Sequence, residues 1–236
     1  MEYRNELKYF VNDGDLLVLN YRLKELMKLD SNIKEQNKYN IRSIYFDDYN
    51  DSYLKETEAG INERLKIRIR IYNRSSEIIK LEIKYKLNGY TKKESCNISK
   101  ELCDKLIRGE SLTFKDCNNK VLNKLYLEQK TSLLKPKIIV EYDRTAYIYK
   151  LGNVRVTFDQ NIRVSKHLDR FFEDNALSVP VLEKNQELLE VKYDEFLPTW
   201  LFDALELNKL SRTAFSKYAV SRNVLKEEVL WVLMMQ

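Results

Sequence analysis

The sequence predicts an α+β domain built on a mainly antiparallel sheet, and three observations point there. Residues 64–72 (Arg-Leu-Lys-Ile-Arg-Ile-Arg-Ile-Tyr) alternate strictly, and a period of two marks a strand with two distinct faces. Other stretches, among them 80–87 and 187–193, repeat a charged face opposite an apolar one. The strand–helix–strand rhythm of a doubly wound sheet is missing, and the helical patterns are segregated between strands. Composition agrees. A chain of 236 residues, 33% charged and 44% hydrophobic, buries a sizeable core. Five glycines, three prolines and no low-complexity run favour one domain over 1–236.

Taken in order, residues 3–10 set Arg4, Glu6 and Lys8 against Tyr3, Leu7 and Tyr9, a strand with a charged face. Asp13 is placed to cap a helix with Leu16, Leu19, Leu23 and Leu26 as one buried stripe. Residues 41–49 form a second strand, rich in β-formers and ending in turn-forming acids. A short helix from Asp51 to about Glu58 stops at Gly60, and the basic strand follows. Residues 78–87 place Lys80, Glu82, Lys84 and Lys86 on one face. Asn88-Gly89 then signals a hairpin, with 90–98 returning and carrying Lys92 and Lys93. Helices are expected over 99–108 and 120–134. Strands are expected over 138–147 and 154–162, carrying Glu141, Arg144, Arg155, Thr157 and Asp159. The last strand, 187–193, has Glu190 and Lys192 opposite Leu189, Val191 and Tyr193. A helix runs from near Pro198 to about Leu207, and Ser211 caps a final helix containing Ser216-Lys217-Tyr218.

The net charge of +5 is modest; its concentration on particular faces is what attracts anions. Like charges two apart on a strand stand ~7 Å apart, which at an effective dielectric near 20 costs about 2 kcal/mol per pair. Such a face is either solvated or turned toward an anionic ligand. If the sheet closes, these faces converge inside it, and a lumen crowded with Arg and Lys calls for phosphates, which Arg grips bidentately. The acids on the same faces, Glu6, Glu82, Glu141 and Glu190, either pair those cations or bind Mg²⁺ or Mn²⁺ beside phosphate oxygens. The basic faces lack the interleaved aromatics of nucleic-acid stacking platforms, so no nucleic-acid partner is expected. Cys96, Cys103 and Cys117 are odd in number and lack paired metal-ligand spacing. They read as free thiols. The N-terminus does not resemble a signal peptide, and the apolar run 230–235 is too short for a membrane span and reads as a docking tail. A cytoplasmic location is expected.

An ordered set of motifs resembles the VTC domain, the polyphosphate polymerase branch of the triphosphate tunnel metalloenzymes. The set runs through Arg4-Asn5-Glu6-Leu7-Lys8-Tyr9, Ser43-Ile44-Tyr45-Phe46-Asp47, the run 64–72 and Leu81-Glu82-Ile83-Lys84. It continues with Tyr142-Asp143-Arg144-Thr145-Ala146, Val154-Arg155-Val156-Thr157-Phe158-Asp159, Leu189-Glu190-Val191-Lys192-Tyr193 and Phe215-Ser216-Lys217-Tyr218. The resemblance implies an eight-stranded antiparallel β-barrel with peripheral helices, whose lumen takes the γ-phosphate of ATP onto a growing polyphosphate chain. It implies catalytic roles for Arg68, Arg70, Lys84, Arg144, Arg155 and Lys217, and phosphate contacts from Lys8, Arg64, Lys66, Lys192 and Lys92 or Lys93. The implied metal, Mn²⁺ or Mg²⁺, falls to Glu190 with help from Glu6. Lys217 lies on a helix, so it would cap one mouth; otherwise it is a surface lysine. Arg4 stands where the wider superfamily has the first Glu of a Glu-x-Glu-x-Lys signature, which weakens a two-metal hydrolase site. A tripolyphosphatase of the same fold and a non-catalytic anion-binding module are the rival readings. The eukaryotic catalytic subunits add an SPX domain and membrane spans, neither of which lies in this sequence; a membrane-protein partner would not be visible here.

Overall fold

The computed structural model describes residues 4–30, 38–174 and 176–234, with side chains through Glu227. Ten strands form one sheet: β1 (Asn5–Val11), β2 (Lys28–Leu29), β3 (Tyr39–Asp47), β4 (Glu63–Tyr72), β5 (Lys80–Leu87), β6 (Tyr90–Asn97), β7 (Lys135–Tyr149), β8 (Val154–Ser165), β9 (Val179–Pro180) and β10 (Glu187–Tyr193). Eight of them run in the order β1-β10-β8-β7-β3-β4-β5-β6, with the short β2 and β9 added on β7 and β8. Every ladder is antiparallel. The expected eight-stranded path is therefore present, but the barrel is not zipped shut. Its edges β1 and β6 meet at one bridge, where Arg4 and Thr91 exchange N–H···O bonds of 2.9 and 3.0 Å. Farther along, the free edge of β1 is taken by the segment at 212–213, through a Tyr9–Arg212 bridge and a 2.9 Å bond from the Thr213 N–H to the Lys8 carbonyl.

The apolar cores lie outside this curved sheet. On β4 and β5, Ile67, Ile69, Ile71, Leu81 and Ile83 are fully buried in a cluster with Cys103 and Leu106 of α3 (Lys100–Ile107) and Leu122 and Leu125 of α4 (Lys120–Thr131). On β8 and β10, Val156, Phe158, Leu189 and Val191 pack with Leu19 and Leu23 of α1 (Asp13–Leu26) and Leu201 of α5 (Thr199–Ala204). With both apolar faces satisfied by helices, alternate side chains of the eight path strands point inward. Asn88 and Gly89 both take positive φ, 48° and 88°, as the predicted hairpin requires. The helix after the second strand is α2 (Ser52–Glu58), and Gly60 has φ +69°.

Several boundaries differ from expectation. Asn12, not Asp13, caps α1: its side chain accepts from the Asp15 N–H at 2.8 Å, and Asp15 reciprocates as a capping box. Asp13 instead sits in the first turn, where its charge favours the helix dipole. Leu26 is exposed because the helix ends there, and Met27, turned extended, takes the buried place. The helix expected to 134 stops at Thr131, because Leu133 takes φ +52°. The helix expected to Leu207 stops at Ala204, where Glu206 takes φ +50°. Ser211 precedes the segment held on β1, and the last helix, α6 (Lys217–Met234), is capped by Ser216, whose Oγ accepts from the Ala219 N–H. The side chains of the expected docking tail, 230–235, lie outside the described residues. Among the described residues no helix is long and apolar enough to cross a membrane.

Removing a fully buried outer-face methyl cluster tests this arrangement. Ile69→Ala should lower stability by about 2–5 kcal/mol and Asn12→Ala by about 1 kcal/mol, read as shifts in urea midpoints at unchanged slope.

Candidate active site

The register places the charged positions face to face inside the sheet. Four directly opposed pairs join a cation to an acid: Arg68–Glu82, Lys8–Glu190, Lys192–Glu6 and Arg144–Asp159. Others oppose cation to cation: Arg64–Lys86, Lys66–Lys84, Lys84–Lys93 and Lys192–Arg155. Like charges opposed across strands destabilise, so these rows carry an unspent attraction for anions. They enclose a cavity of about 380 Å³ that all fourteen residues expected from the sequence line. Fourteen basic side chains and two carboxylates, Glu6 and Glu190, form its wall. The hairpin register separates the two candidate lysines. Lys93 opposes Lys84 on the inner face and reaches Glu82 at 3.0 Å, whereas Lys92 opposes Tyr85 and pairs with Glu94 at 2.8 Å on the other face.

Four carboxylates organise the cations. Glu82, fully buried, holds Arg68 at 2.8 Å, Lys93 at 3.0 Å and Arg70 at 3.7 Å. Asp159, also fully buried, takes a bidentate grip from Arg144 (2.6 and 2.7 Å) and the Lys217 ammonium at 2.5 Å. Glu190 meets Lys217 at 2.8 Å, Lys192 at 3.0 Å, Arg144 at 3.6 Å and Lys8 at 3.9 Å. Glu6 meets Lys84 at 2.6 Å, Lys192 at 3.5 Å and Lys8 at 4.0 Å. Two phenols complete the setting: Tyr45 accepts from Arg68 at 2.9 Å and Tyr142 from Arg70 at 3.0 Å. Arg155 turns to Asp30 (2.5 Å) and the Tyr39 hydroxyl (3.0 Å). The start of α6 enters this lumen, so Lys217 is a buried inner residue rather than a surface lysine.

Titration follows from these contacts. Burial alone would raise the Glu6 carboxyl, but Lys84, Lys8 and Lys192 overcome it and hold the group well below the usual carboxylate range. Glu190 is opposed in the same way by Lys192, Lys217, Lys8 and Arg144, and Glu82 by Arg70, Arg68 and Lys93, and both end well below that range. Asp159 is lowered against its burial by Arg144 and Lys217. Lys217 is raised, because Asp159 and Glu190 outweigh its desolvation. Lys84 moves the other way: desolvation brings its ammonium down to about 8 despite Glu6.

Of the four acids expected on these faces, Glu82 pairs the cations as anticipated, but Glu141 lies away from the cavity and pairs with Arg42 and Arg74 at 2.8 Å each. Sequence reasoning left Asp159, Tyr45, Tyr142, Lys86 and Ser216 outside the candidate set. A period-two walk from Arg144 to Tyr142, from Thr157 to Asp159 and from Lys84 to Lys86 reaches three of them; that Asp159 meets Lys217 needs the fold.

Among the described residues no group of three or more His, Cys, Asp or Glu side chains forms a self-sufficient metal cage. Glu190 and Glu6 nonetheless fit a divalent ion bound jointly with phosphate. Both are kept ionised, both share Lys8 and Lys192, and the buried Thr157 hydroxyl, directly opposite Glu190, has no hydrogen-bond partner among the described residues. Mg²⁺ characteristically takes one or two carboxylates plus substrate phosphates.

A curved antiparallel sheet around a basic lumen, with its apolar cores outside, defines the triphosphate-tunnel class. The VTC domain profile matches residues 3–226, and the chain belongs to that family. Two solved structures share the architecture. A Hippeastrum protein, described as a candidate adenylyl cyclase with a dominant triphosphatase activity, is 13% identical, with 94% of this chain and 96% of that chain covered and a TM-score of 0.58. A candidate adenylate cyclase from Bacillus halodurans is 14% identical, with 91% and 94% covered and a TM-score of 0.55. At these identities the likeness is one of fold. No curated protein matches the chain.

The Lys84 value gives a signed pH effect. Bound anion favours its ammonium, so above about 8 binding must take up a proton and affinity falls as pH rises. Sulfate, whose charge is constant over this range, should bind several-fold more weakly at pH 9 than at pH 7 by calorimetry, and Lys84→Met should remove much of that slope. Wild-type affinity that is level or rises with pH would contradict the assignment.

Proposed function

We propose that this protein is a polyphosphate polymerase, transferring the γ-phosphate of ATP to the end of an inorganic polyphosphate chain held in the lumen. The observation that carries this reading is the state of the lumen acids. All four are held ionised below their usual range by adjacent cations, and a carboxylate of depressed pKa is a poor general base. His167 lies outside the cavity wall. An acceptor that needs no deprotonation suits such a site, and a terminal phosphate oxygen is already anionic.

Phosphoryl transfer asks a protein chiefly for positioning and charge neutralisation. Arg68, Arg70, Lys84, Arg144, Arg155 and Lys217 surround the reacting phosphates in this proposal. Lys8, Arg64, Lys66, Lys93 and Lys192 hold the neighbouring ones, and Lys92 stands at the rim. Tyr45, Tyr142 and Glu82 keep Arg68 and Arg70 aimed, leaving guanidinium N–H groups for phosphate oxygens. Glu190 and Glu6 would hold Mn²⁺ or Mg²⁺, which when bound neutralises phosphate oxygens. Triphosphate and polyphosphate are the implied ligands.

The second reading is a tripolyphosphatase, favoured by the fold shared with the Hippeastrum protein and its described triphosphatase activity. Incubation with ATP and Mn²⁺, followed by a gel resolving polyphosphate by length, separates the two. A ladder with matching ADP is expected. Free phosphate without a ladder would assign the hydrolase, and neither product with either metal would leave an anion-binding module. Glu190→Gln should lower turnover by about 100-fold, the scale of losing a metal or charge-stabilising group, while polyphosphate binding is retained or tightened. Weakened binding with unchanged turnover would overturn the metal assignment.

A further inference from the structure

Synthesis that starts from nucleotide alone needs an acceptor for its first phosphate, and the lumen contains a hydroxyl paired with an amine. Lys66 Nζ lies 2.7 Å from Ser216 Oγ, and both residues line the cavity. Lys8, Lys84, Lys93, Lys192 and Lys217 each have a carboxylate within 4.0 Å. Among the described residues Lys66 makes no ion pair of this kind, and across the ladder it faces Lys84. Burial, reinforced by Lys8, Lys84 and Arg64, holds its ammonium well below an ordinary lysine, so the neutral amine is accessible. Ser216 is fixed in place. Its Oγ accepts from the Ala219 N–H at 3.3 Å, its carbonyl accepts from the Val220 N–H at 3.0 Å, and Lys8 Nζ holds the preceding Phe215 carbonyl at 2.8 Å. A capping oxygen used only as an acceptor keeps its own proton to give away, and a serine beside a lysine base is a known nucleophile arrangement.

We propose that Ser216 is a covalent phosphoryl acceptor with Lys66 as its general base, so that the protein itself carries the first phosphate of a chain. This rests on the reading of ATP as donor. Ser216 Oγ attacks the γ-phosphorus and an O–P bond forms. The bond from that phosphorus to the β–γ bridging oxygen breaks, ADP leaves with the electron pair, and the hydroxyl proton passes to the Lys66 amine. The resulting phosphoserine sits at the N-terminus of an 18-residue helix, where backbone N–H groups and the dipole favour an anion, facing a newly charged Lys66. Its outer oxygens are already anionic, so every later transfer proceeds without a base.

The test is to incubate the full chain with γ-labelled ATP and Mn²⁺, denature it, and locate covalent label by peptide mass spectrometry, running the polyphosphate gel in parallel. Phosphate is expected on the Ser216 peptide, stable to acid and lost in alkali, as a serine ester is and a lysine phosphoramidate is not. Ser216→Ala should abolish the label, Ser216→Thr should carry it on threonine, and Lys66→Met should slow labelling at least tenfold. Sulfate-induced thermal shifts report that each variant still folds around its lumen. A ladder without covalent label, or label on another residue, overturns the acceptor assignment and leaves the polymerase standing. Label on Ser216 without a ladder supports the acceptor and overturns the polymerase. Absence of both overturns both.

Discussion

Four carboxylates set among cations are the constraint on which the rest of this structure depends. Glu6, Glu82, Asp159 and Glu190 are nearly or fully withdrawn from water, and each touches two or more basic groups. Breaking one such buried pair costs about 3–5 kcal/mol, because the remaining charge is left uncompensated. The acids make an empty lumen tolerable without neutralising it. Arg64, Lys66 and Lys86 face cations across the ladder, so the wall keeps an excess of positive charge that a polyanion relieves.

That interior is possible only because the apolar faces are satisfied elsewhere. A sheet with Ile67, Ile69 and Ile71 on one side and Arg64, Lys66, Arg68 and Arg70 on the other cannot bury both against itself. Helices α3 and α4 cover one sector, α1 and α5 another, and the hydrophobic effect then holds the curved sheet from outside. The wall's seam is its weakest part. A single bridge between Arg4 and Thr91 joins the edges, and the segment entering α6 occupies the rest of β1. This places Ser216 and Lys217 inside.

The electrostatics that hold the lumen also select its chemistry. Cations that keep the acids ionised deprive them of use as bases, while crowding and desolvation push Lys66 and Lys84 toward neutrality. Proton-accepting capacity therefore rests on amines, and anion binding restores the charge of Lys84. A site of this kind favours acceptors that are already ionised and couples occupancy to pH.

The sequence by itself determined the strands, their faces and the membership of the basic set, because a period of two is a local property written in residues such as those at 64–72. Twelve of the fourteen residues expected at the site lie on those inward strand faces for the same reason, whereas Lys217 comes from a helix and Lys92 from the opposite face of its strand. Caps and ends were less legible. Asn12 outcompetes Asp13, and Ser216 replaces Ser211, because a cap depends on where the preceding chain is pinned, and the segment before α6 is pinned to β1. Only the tertiary structure decided which charges meet. Asp159 reaches Lys217 across 58 residues of chain, Glu82 gathers Arg68, Arg70 and Lys93, and register alone separates Lys93 from Lys92. Pairing energies depend on distance and desolvation, and both are set by how strands far apart in sequence lie side by side.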